Sequence, residues 1–398
     1  MWGILAGMRR NTLIIASALV VLAGCASAAV VSAEPGGTGP APVPASAPAL
    51  TVETVASGLV HGWDVGFLPD GKVLVTQRTG EIALLSSARP GATITRLKAA
   101  THTVQVRGEG GLMGLVVHPD FATTREFTTC QTHQENGQPV DIRLVTWRLT
   151  EDELVATRVK ELLTGLPLSS GGRHSGCRTT IGPDGSLLVG TGDTAQPTAA
   201  QDKNNLGGKV LRIDLKTGKP LPDNPFPGSP VYNYGHRNVQ GVAVRNNGQV
   251  LTAEHGPDNN DEVNLSIPGA NYGWDPSRGG TSTRYDESVP MTDRTRFPDA
   301  VPAKWESGAT TEAICAAAFV NGPKWGTLDG ALVITALKGA KLIFLTLNDK
   351  ADVTSVTIPP EFTNKYGRLR AARTGPDGSL YVTTSNGTDD KLLRITPA

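Results

Sequence analysis

The chain has 398 residues, and its 37 basic and 37 acidic side chains give a formal net charge of zero. A neutral chain lacks the strong positive charge typical of nucleic-acid-binding or anionic-membrane-binding surfaces, so neither is expected as a main partner. It contains 46 glycines and 28 prolines. So many turn-forming residues favour an all-β fold over a helical one.

The N-terminal residues are typical of a secretory signal. Arg9 and Arg10 precede the apolar run 13–22, and Leu-Ala-Gly-Cys follows, ending at Cys25. This ending resembles the lipobox of bacterial lipoproteins, in which the cysteine carries the lipid. We therefore predict a lipoprotein signal peptide over residues 1–25 and a protein lipid-anchored to the outer face of the cell membrane. A membrane-spanning anchor is the alternative, but the apolar run is too short for one.

Residues 26–49 are mostly Ala, Pro, Gly, Ser and Val, with almost no charge. This composition predicts a flexible tether. Residues 50–398 would then form a single catalytic domain.

Three further cysteines follow: Cys130, Cys177 and Cys315. Export permits a disulfide, and three cysteines allow at most one intramolecular pair. We predict a Cys130–Cys177 disulfide and a buried free thiol at Cys315.

Six segments of the chain share one pattern. Each has an apolar strand, a turn such as Pro-Asp-Gly or Asn-Asn-Gly, and a second strand of alternating apolar residues, as β-hairpins do. The turns lie near residues 69, 118, 183, 246, 326 and 376. An average spacing of roughly 60 residues leaves room for four short strands per repeat. We predict an all-β, six-bladed β-propeller with four-stranded antiparallel blades. A β-sandwich is the alternative, but its repeats should be shorter.

The third hairpin carries two polar residues at equal distances from its turn. His174 and Asp193 are equidistant from Pro183-Asp184. Residues equidistant from the turn of an antiparallel hairpin lie opposite each other. We therefore expect the two side chains to meet at the open end of the hairpin, on the propeller face that surrounds the central channel.

The same reasoning brings further polar residues to that face. Arg237 is expected opposite Gly256, and Cys315 near Lys338. The full set expected at the face is Glu109, His174, Asp193, Arg237, Asn238, Gln240, Lys338, Arg368 and Arg370. Four cations converging on an imidazole are unfavourable unless an anion offsets them. This predicts a polyanionic ligand in the channel; a solvated rim of scattered charges is the alternative.

Residues 253–276, AEHGPDNNDEVNLSIPGANYGWDP, are rich in hard oxygen donors. Asp258, Asp261, Glu262, Asn264 and many carbonyls suit calcium in an exported protein. The spacing is not that of an EF-hand, so the fold would have to build any site. A turn-rich loop with solvated acids is the alternative.

From about residue 52 to the C-terminus, the chain resembles the soluble dehydrogenases for glucose, sorbosone and aldose sugars that depend on pyrroloquinoline quinone (PQQ). The motifs that carry the resemblance are GEGGLMGLVVHPDF, RHSGCRTTIGPDGSLLVGTGD, GGKVLRID, YGHRNVQGVA, EHGPDNNDEVN with NYGW, ALKGAKLIFL and GRLRAARTGPDGSLYV. The resemblance implies a six-bladed propeller with PQQ and calcium as cofactors.

The resemblance also implies a role for each matched residue. His174 would be the general base, Asp193 the carboxylate that orients it, and Arg237 a neighbour of the reacting quinone carbonyl. The cofactor-binding residues would be Glu109, Asn238, Gln240, Lys338, Arg368 and Arg370. The metal ligands would be the carbonyls of Gly256 and Pro257 at the calcium that also binds PQQ, and Glu262 with the Tyr272 carbonyl at a second, structural calcium.

Two positions depart from the family pattern. Glu109 stands where the glucose dehydrogenase has glutamine, which would put an acid beside an anionic cofactor. Cys177 replaces the second glycine of the usual His-x-Gly-Gly. The chain is also shorter than the glucose dehydrogenase, so the resemblance does not identify the sugar.

We therefore expect oxidation of an aldose at its anomeric carbon to a lactone, with hydride transfer to PQQ and a separate, unidentified electron acceptor. The sequence has no Cys-x-x-Cys-His haem motif. Two alternatives are a calcium-dependent propeller lactonase, which would not need four cations around the channel, and a non-catalytic lipoprotein that binds a sugar or a protein. Turnover that requires a quinone separates the dehydrogenase from both.

Overall fold

The computed structural model describes residues 46–398, which form one compact unit. The predicted signal peptide, the predicted lipidation at Cys25 and most of the predicted tether lie outside the described residues. The described part of the chain contains 25 β-strands and three short helical segments. None of these helical segments is long and apolar enough to cross a membrane.

The strands form six sheets, named blades 1 to 6 in chain order. The first strand is β1 (Leu50–Leu59), and blade 1 contains β2 (Gly62–Phe67), β3 (Val73–Gln77), β4 (Ile82–Leu85) and β5 (Ile94–Arg96). Blade 2 contains β6 (Lys98–Ala99), β7 (Leu112–Val117), β8 (Glu126–Glu135), β9 (Gln138–Leu149) and β10 (Val155–Leu166). Blade 3 contains β11 (Arg178–Ile181), β12 (Leu187–Gly190), β13 (Lys209–Ile213) and β14 (Val231–Tyr234).

Blade 4 contains β15 (Val239–Val244), β16 (Val250–Glu254), β17 (Glu262–Leu265) and β18 (Trp305–Glu306). Blade 5 contains β19 (Ile314–Phe319), β20 (Leu332–Ala336), β21 (Lys341–Leu347) and β22 (Val353–Thr357). Blade 6 contains β23 (Leu369–Thr374), β24 (Leu380–Thr384) and β25 (Asp390–Pro397), together with β1. The helical segments are α1 (Phe121–Thr124) and the 3₁₀ helices Thr101–Thr103 and Pro323–Leu328.

Blade 6 closes the ring by joining the two ends of the described chain. Strand β1 pairs with β25, with Leu50 opposite Pro397 and Leu59 opposite Asp390. The inner strands β2, β7, β11, β15, β19 and β23 pack against one another in sequence, and β23 packs against β2. The predicted six-bladed propeller with four-stranded antiparallel blades is confirmed. Blade 2 adds the two-residue strand β6, which is parallel to β10.

The inner strands are buried on both faces because a neighbouring blade covers each side. The strand β19, Ile-Cys-Ala-Ala-Ala-Phe, is buried throughout, which explains its lack of polar and apolar alternation. Blades approach most closely at glycines. A Cβ at Gly114 would lie 2.3 Å from the carbonyl oxygen of Cys177, so only glycine lets β7 approach the start of β11.

The predicted disulfide is present. Cys130 in β8 bonds to Cys177, which directly precedes β11, and their Cα atoms are 5.8 Å apart. Cys315 is a buried free thiol, as predicted. Cys177 has a φ of 71°, a conformation that favours glycine, which accounts for the glycine expected there by resemblance. The disulfide therefore fixes the chain beside His174 and connects blade 2 to blade 3.

Candidate active site

His174 and Asp193 meet at the open end of the third hairpin, as predicted. His174 Nδ1 lies 2.8 Å from Asp193 Oδ1, and both side chains are buried. The ladder pairs Arg178 with Gly190, and His174 lies before β11 with a φ of 50°. The contact is therefore made by side chains beyond the strand ends. An ionised carboxylate only accepts hydrogen bonds, so Nδ1 is the ring nitrogen that donates to Asp193.

Asp193 is held by three further donors. It accepts hydrogen bonds from the Ala195 backbone N–H at 2.8 Å, from Trp274 Nε1 at 2.7 Å and from the Tyr285 hydroxyl at 2.5 Å. Both carboxylate oxygens are thus satisfied, and the orientation of the His174 ring is fixed through them. Sequence reasoning missed Trp274 and Tyr285, which come from a segment after β17 that has no hairpin pattern.

Glu109 connects three of the predicted residues. Its Oε1 accepts a hydrogen bond from the His174 backbone N–H at 3.0 Å, and its Oε2 accepts from Asn238 Nδ2 at 2.9 Å and Gln240 Nε2 at 3.2 Å. Burial opposes ionisation, but His174 and these donors outweigh it and lower the pKa of Glu109. The hydrogen-bond donors around Glu109 therefore stabilise an ionised acid at this position.

Arg237 lies beside the segment that contains Gly256, as predicted. Its Nη1 donates to the His255 carbonyl at 2.8 Å and its Nη2 to Glu287 Oε1 at 2.5 Å. Its buried Nε has no hydrogen-bond partner among the described residues. Burial lowers the pKa of His255 to about 4, so this imidazole is neutral at pH 7.

A second group of cations lies around the channel. Arg370 is buried, and its Nη1 is 3.4 Å from both Gln240 Oε1 and Cys315 Sγ. Its buried Nε has no partner within residues 46–398. Arg368 is exposed nearby. Arg78 completes the group: burial lowers its pKa, and so does repulsion from Arg370 and Arg368.

Sequence reasoning missed Arg78, although the rule that residues equidistant from a hairpin turn lie opposite each other would have found it. The backbone N–H of Arg78 donates to the His61 carbonyl at 3.0 Å, and the two residues are equidistant from the first hairpin turn. Across residues 46–398, no ion pair joins Arg78, Arg368 or Arg370 to a carboxylate. The three positive charges therefore repel one another without compensation.

The expected pairing of Cys315 with Lys338 is not observed. Ile314 lies opposite Ala336, and the Lys338 backbone N–H donates to the Glu312 carbonyl at 3.0 Å. The 3₁₀ helix Pro323–Leu328 enlarges the turn of this hairpin and shifts its midpoint. Lys338 keeps its place at the open end of blade 5, with an exposed side chain.

A cavity of about 270 Å³ opens at the His174 side of this face. Glu109, His174 and Arg237 line it, together with Gly256 and Pro257. A Cβ at Gly256 would lie 2.2 Å from the Asn259 carbonyl oxygen, so only glycine fits this turn.

The buried Asp261 carboxylate fixes this turn from behind. It accepts from the Gly256 N–H at 2.9 Å, Thr311 Oγ1 at 2.7 Å and the Glu312 N–H at 2.7 Å. The segment that carries the predicted first calcium ligands therefore has a defined conformation at the edge of the cavity.

Glu262 lies in a buried cluster of oxygen atoms. Burial, followed by the neighbouring Glu254 carboxylate, raises the pKa of Glu262 to about 8. Thr292 Oγ1 donates to it at 3.0 Å, and the buried Asn264 Oδ1 has no partner among the described residues. Tyr272 is connected to the cluster through Gly273, the next residue. The Gly273 carbonyl accepts a hydrogen bond from the backbone N–H of Asp293, which follows Thr292 in the chain.

The donor types in this cluster fit a hard divalent cation, which would offset the acid pair. Within residues 46–398, no group of three or more His, Cys, Asp or Glu side chains could hold a metal. Any ion would therefore depend on carbonyl and amide oxygens as well as on Glu262.

Comparison with known proteins agrees with this architecture. The Glucose / Sorbosone dehydrogenase family matches residues 59–394. The aldose sugar dehydrogenase of Escherichia coli (strain K12) is 30% identical over 367 residues, which cover 88% of this chain and 94% of that protein. The PQQ-bound aldose sugar dehydrogenase of Streptomyces coelicolor superposes with a TM-score of 0.72 at 31% identity, covering 88% of this chain and 99% of that one. The apo-form of the soluble Escherichia coli aldose sugar dehydrogenase also gives a TM-score of 0.72, at 29% identity, over 88% of this chain and all of that one. The chain therefore belongs to the glucose/sorbosone dehydrogenase family.

Proposed function

We propose that this chain is a PQQ- and calcium-dependent dehydrogenase that oxidises an aldose sugar to a lactone. The observation that carries the proposal is the pairing of two features on one propeller face. His174, paired with the buried Asp193, lines the cavity, and Arg78, Arg368 and Arg370 around the channel have no carboxylate partner in the described chain. Family membership supports a dehydrogenase, and the S. coelicolor relative binds PQQ.

The charges around the channel fit PQQ, which has three carboxylates. Arg78, Arg368 and Arg370 would bind these groups with planar, paired N–H donors, and the exposed Lys338 would add a point charge. The unpartnered Nε atoms of Arg237 and Arg370 are donors that a bound anion would satisfy. When bound, PQQ would supply the two-electron acceptor for the hydride of the anomeric carbon, so the sugar product is a lactone.

His174 would accept the proton of the anomeric hydroxyl. In the neutral imidazole, Asp193 would hold the hydrogen on Nδ1, which would leave the lone pair of Nε2 to accept the proton. Imidazole is the usual proton acceptor near neutral pH. Asp193 would then stabilise the imidazolium, and the donors on Asp193 would keep the ring in place. Glu109 would orient the amides of Asn238 and Gln240 beside the cofactor.

Calcium would be held at two places. The carbonyls of Gly256 and Pro257 would bind the ion at the edge of the cavity, and Glu262 with the Tyr272 carbonyl would bind the structural ion. A calcium ion at the cavity would act as a Lewis acid toward the quinone. Because a cation at Glu262 offsets a buried acid pair, we expect EDTA to lower the melting temperature by several degrees and added calcium to restore it. An unchanged melting temperature in EDTA would contradict the structural site.

We also propose that the protein is exported and anchored by a lipid on Cys25. The supporting observation is the Leu-Ala-Gly-Cys sequence after a short apolar run. Incorporation of a labelled fatty acid into the wild type, but not into Cys25→Ala, would establish the anchor. Equal labelling of both proteins would exclude Cys25 as its site.

The main experiment follows dye reduction by the purified protein with calcium, one equivalent of PQQ and a panel of aldoses. We expect reduction that needs a sugar and both additions, together with the absorbance of bound PQQ. Lactone hydrolysis without PQQ would instead indicate the calcium-dependent lactonase. Sugar binding with neither activity would indicate a non-catalytic lipoprotein.

A further inference from the structure

Glu287 is an acid at the cavity that no hairpin or motif predicts. It lies in the segment between β17 and β18 and lines the cavity beside His174. Its Oε1 accepts hydrogen bonds from Arg173 Nη2 at 2.8 Å and from Arg237 Nη2 at 2.5 Å. No hydrogen bond reaches its Oε2 from any described residue, and the side chain is 36% exposed. One oxygen thus makes both protein contacts, and the other is free.

The Glu287 carboxylate lies near the proposed base. Arg173 Nη2 is 3.5 Å from His174 Nε2 as well as 2.8 Å from Glu287 Oε1. Only one guanidinium nitrogen therefore separates the acid from the nitrogen that would take the proton. A sugar with its anomeric hydroxyl on His174 Nε2 would have other ring hydroxyls within reach of Glu287.

The charge of Glu287 makes it a strong hydrogen-bond acceptor. Burial opposes ionisation, but the hydrogen bond and charge of Arg237, followed by the charge of Arg173, lower the pKa of Glu287. An ionised carboxylate accepts hydroxyl hydrogens and donates none. Most residues that line the cavity are charged or polar, which suits a highly hydroxylated molecule.

We propose that Glu287 is a specificity-determining residue whose Oε2 binds a ring hydroxyl of the aldose while Oε1 stays on Arg173 and Arg237. This inference rests on the proposed function, from which it takes an aldose as the substrate class. It predicts that one hydroxyl of the sugar, remote from the anomeric carbon, is recognised through Glu287.

The test compares the loaded full-length wild type with Glu287→Ala and with the isosteric Glu287→Gln. Because a hydrogen bond to a charged group is lost, we expect KM to rise about ten- to a hundredfold in E287A and less in E287Q. We expect kcat to stay within about threefold and the PQQ titration to be unchanged. Glu53→Gln is the matched control, since Glu53 is 38% exposed and pairs with Arg394 at 2.7 Å on outer strands.

Deoxy sugars identify the hydroxyl that is bound. In the wild type, one monodeoxy analogue should show a raised KM, and in E287A that analogue and the parent sugar should have the same KM. An unchanged KM in both variants would overturn the proposal. So would a fall in kcat at constant KM, because Glu287 would then act only through Arg237.

Direct binding separates this inference from the proposed function. If the wild type binds PQQ but no sugar is turned over, the dehydrogenase assignment fails, and calorimetry with the same sugars decides the role of Glu287. Loss of sugar binding in E287A, with the melting temperature of E287A unchanged, would support it. Absence of sugar binding by the wild type would overturn it.

Discussion

The two ends of the repeated hairpins differ in how their charges are balanced. At the turn ends, four aspartates pair with cations: Asp70 with Lys72 at 2.8 Å, Asp120 with Lys216 at 2.7 Å, Asp184 with Arg212 at 2.5 Å and Asp377 with Arg394 at 3.0 Å. At the open ends, burial followed by repulsion from Arg370 lowers the pKa values of Arg78 and Arg368, and Arg78, Arg368 and Arg370 have no carboxylate partner in residues 46–398. The repeated hairpin therefore has a turn end where the charges are paired, and an open end where unpaired positive charge suits an external anion.

The difference follows from how each end is built. A turn aspartate bonds to its own turn, as Asp184 does with the Ser186 N–H at 3.0 Å, and its cation comes from the same turn, from a strand of the same blade or from a neighbouring blade. The open ends have no such local rule, because each inner strand there leads into a loop of different length. Residues at the open ends can thus bind a ligand without affecting the turns that form the fold.

The largest expected effect comes from removing the proposed base. We expect His174→Ala to lower turnover by about a hundred- to ten-thousandfold, because no group remains to accept the proton. The PQQ titration should be unchanged, since the side chain lost is not one of the arginines. Steady-state kinetics of the loaded variant check this, with Asp193→Asn as a second variant that keeps the shape but not the negative charge. Unchanged turnover in fully loaded H174A would refute the assignment.

A paired experiment compares the arginines at the two ends. We expect Arg370→Gln to weaken PQQ binding about tenfold or more, because a charged donor is lost. It should not lower the melting temperature of the cofactor-free protein, because one of three repelling charges is removed. Arg212→Gln should lower that temperature and leave the PQQ titration unchanged. Lys338→Ala should weaken PQQ binding less, since its side chain is exposed.

If Arg370→Gln and Arg212→Gln lowered the melting temperature of the cofactor-free protein equally, the two ends would not differ in how their charges are balanced. An unchanged PQQ titration in Lys338→Ala would exclude that lysine from the cofactor site.

Sequence reasoning succeeded where hairpin geometry alone decides the outcome. Turn spacing predicted six blades, and equal distance from a turn predicted the contact of His174 with Asp193. It was wrong for Cys315 and Lys338 because a 3₁₀ helix in the turn changed the register.

Sequence reasoning could not find Tyr285 or Glu287. Their segment has no periodic pattern, and its path is set by contacts such as the hydrogen bond from the Tyr285 hydroxyl to Asp193. Side chains fixed by long-range packing of an irregular loop have no local signal in the sequence.

The smallest expected effect is the pH dependence of one turn-end ion pair. Burial opposes ionisation of Asp184, but hydrogen bonds from Ser186 and Arg212 lower its pKa to about 2. A carboxyl whose folded pKa is depressed contributes stability above its unfolded pKa and loses it as the pH falls from about 4 to about 2. The side chain is 38% exposed, so solvent screening limits the contribution to about 1 kcal/mol. We expect Asp184→Asn to lower the free energy of unfolding by that amount at pH 6 and by much less near pH 2, as measured by urea denaturation. A difference that stays constant with pH would show that packing, not charge, stabilises the turn. The PQQ titration should be unaffected in either case, because Asp184 lies at the turn end of its hairpin, whereas the cations that would bind the cofactor lie at the open ends of other hairpins.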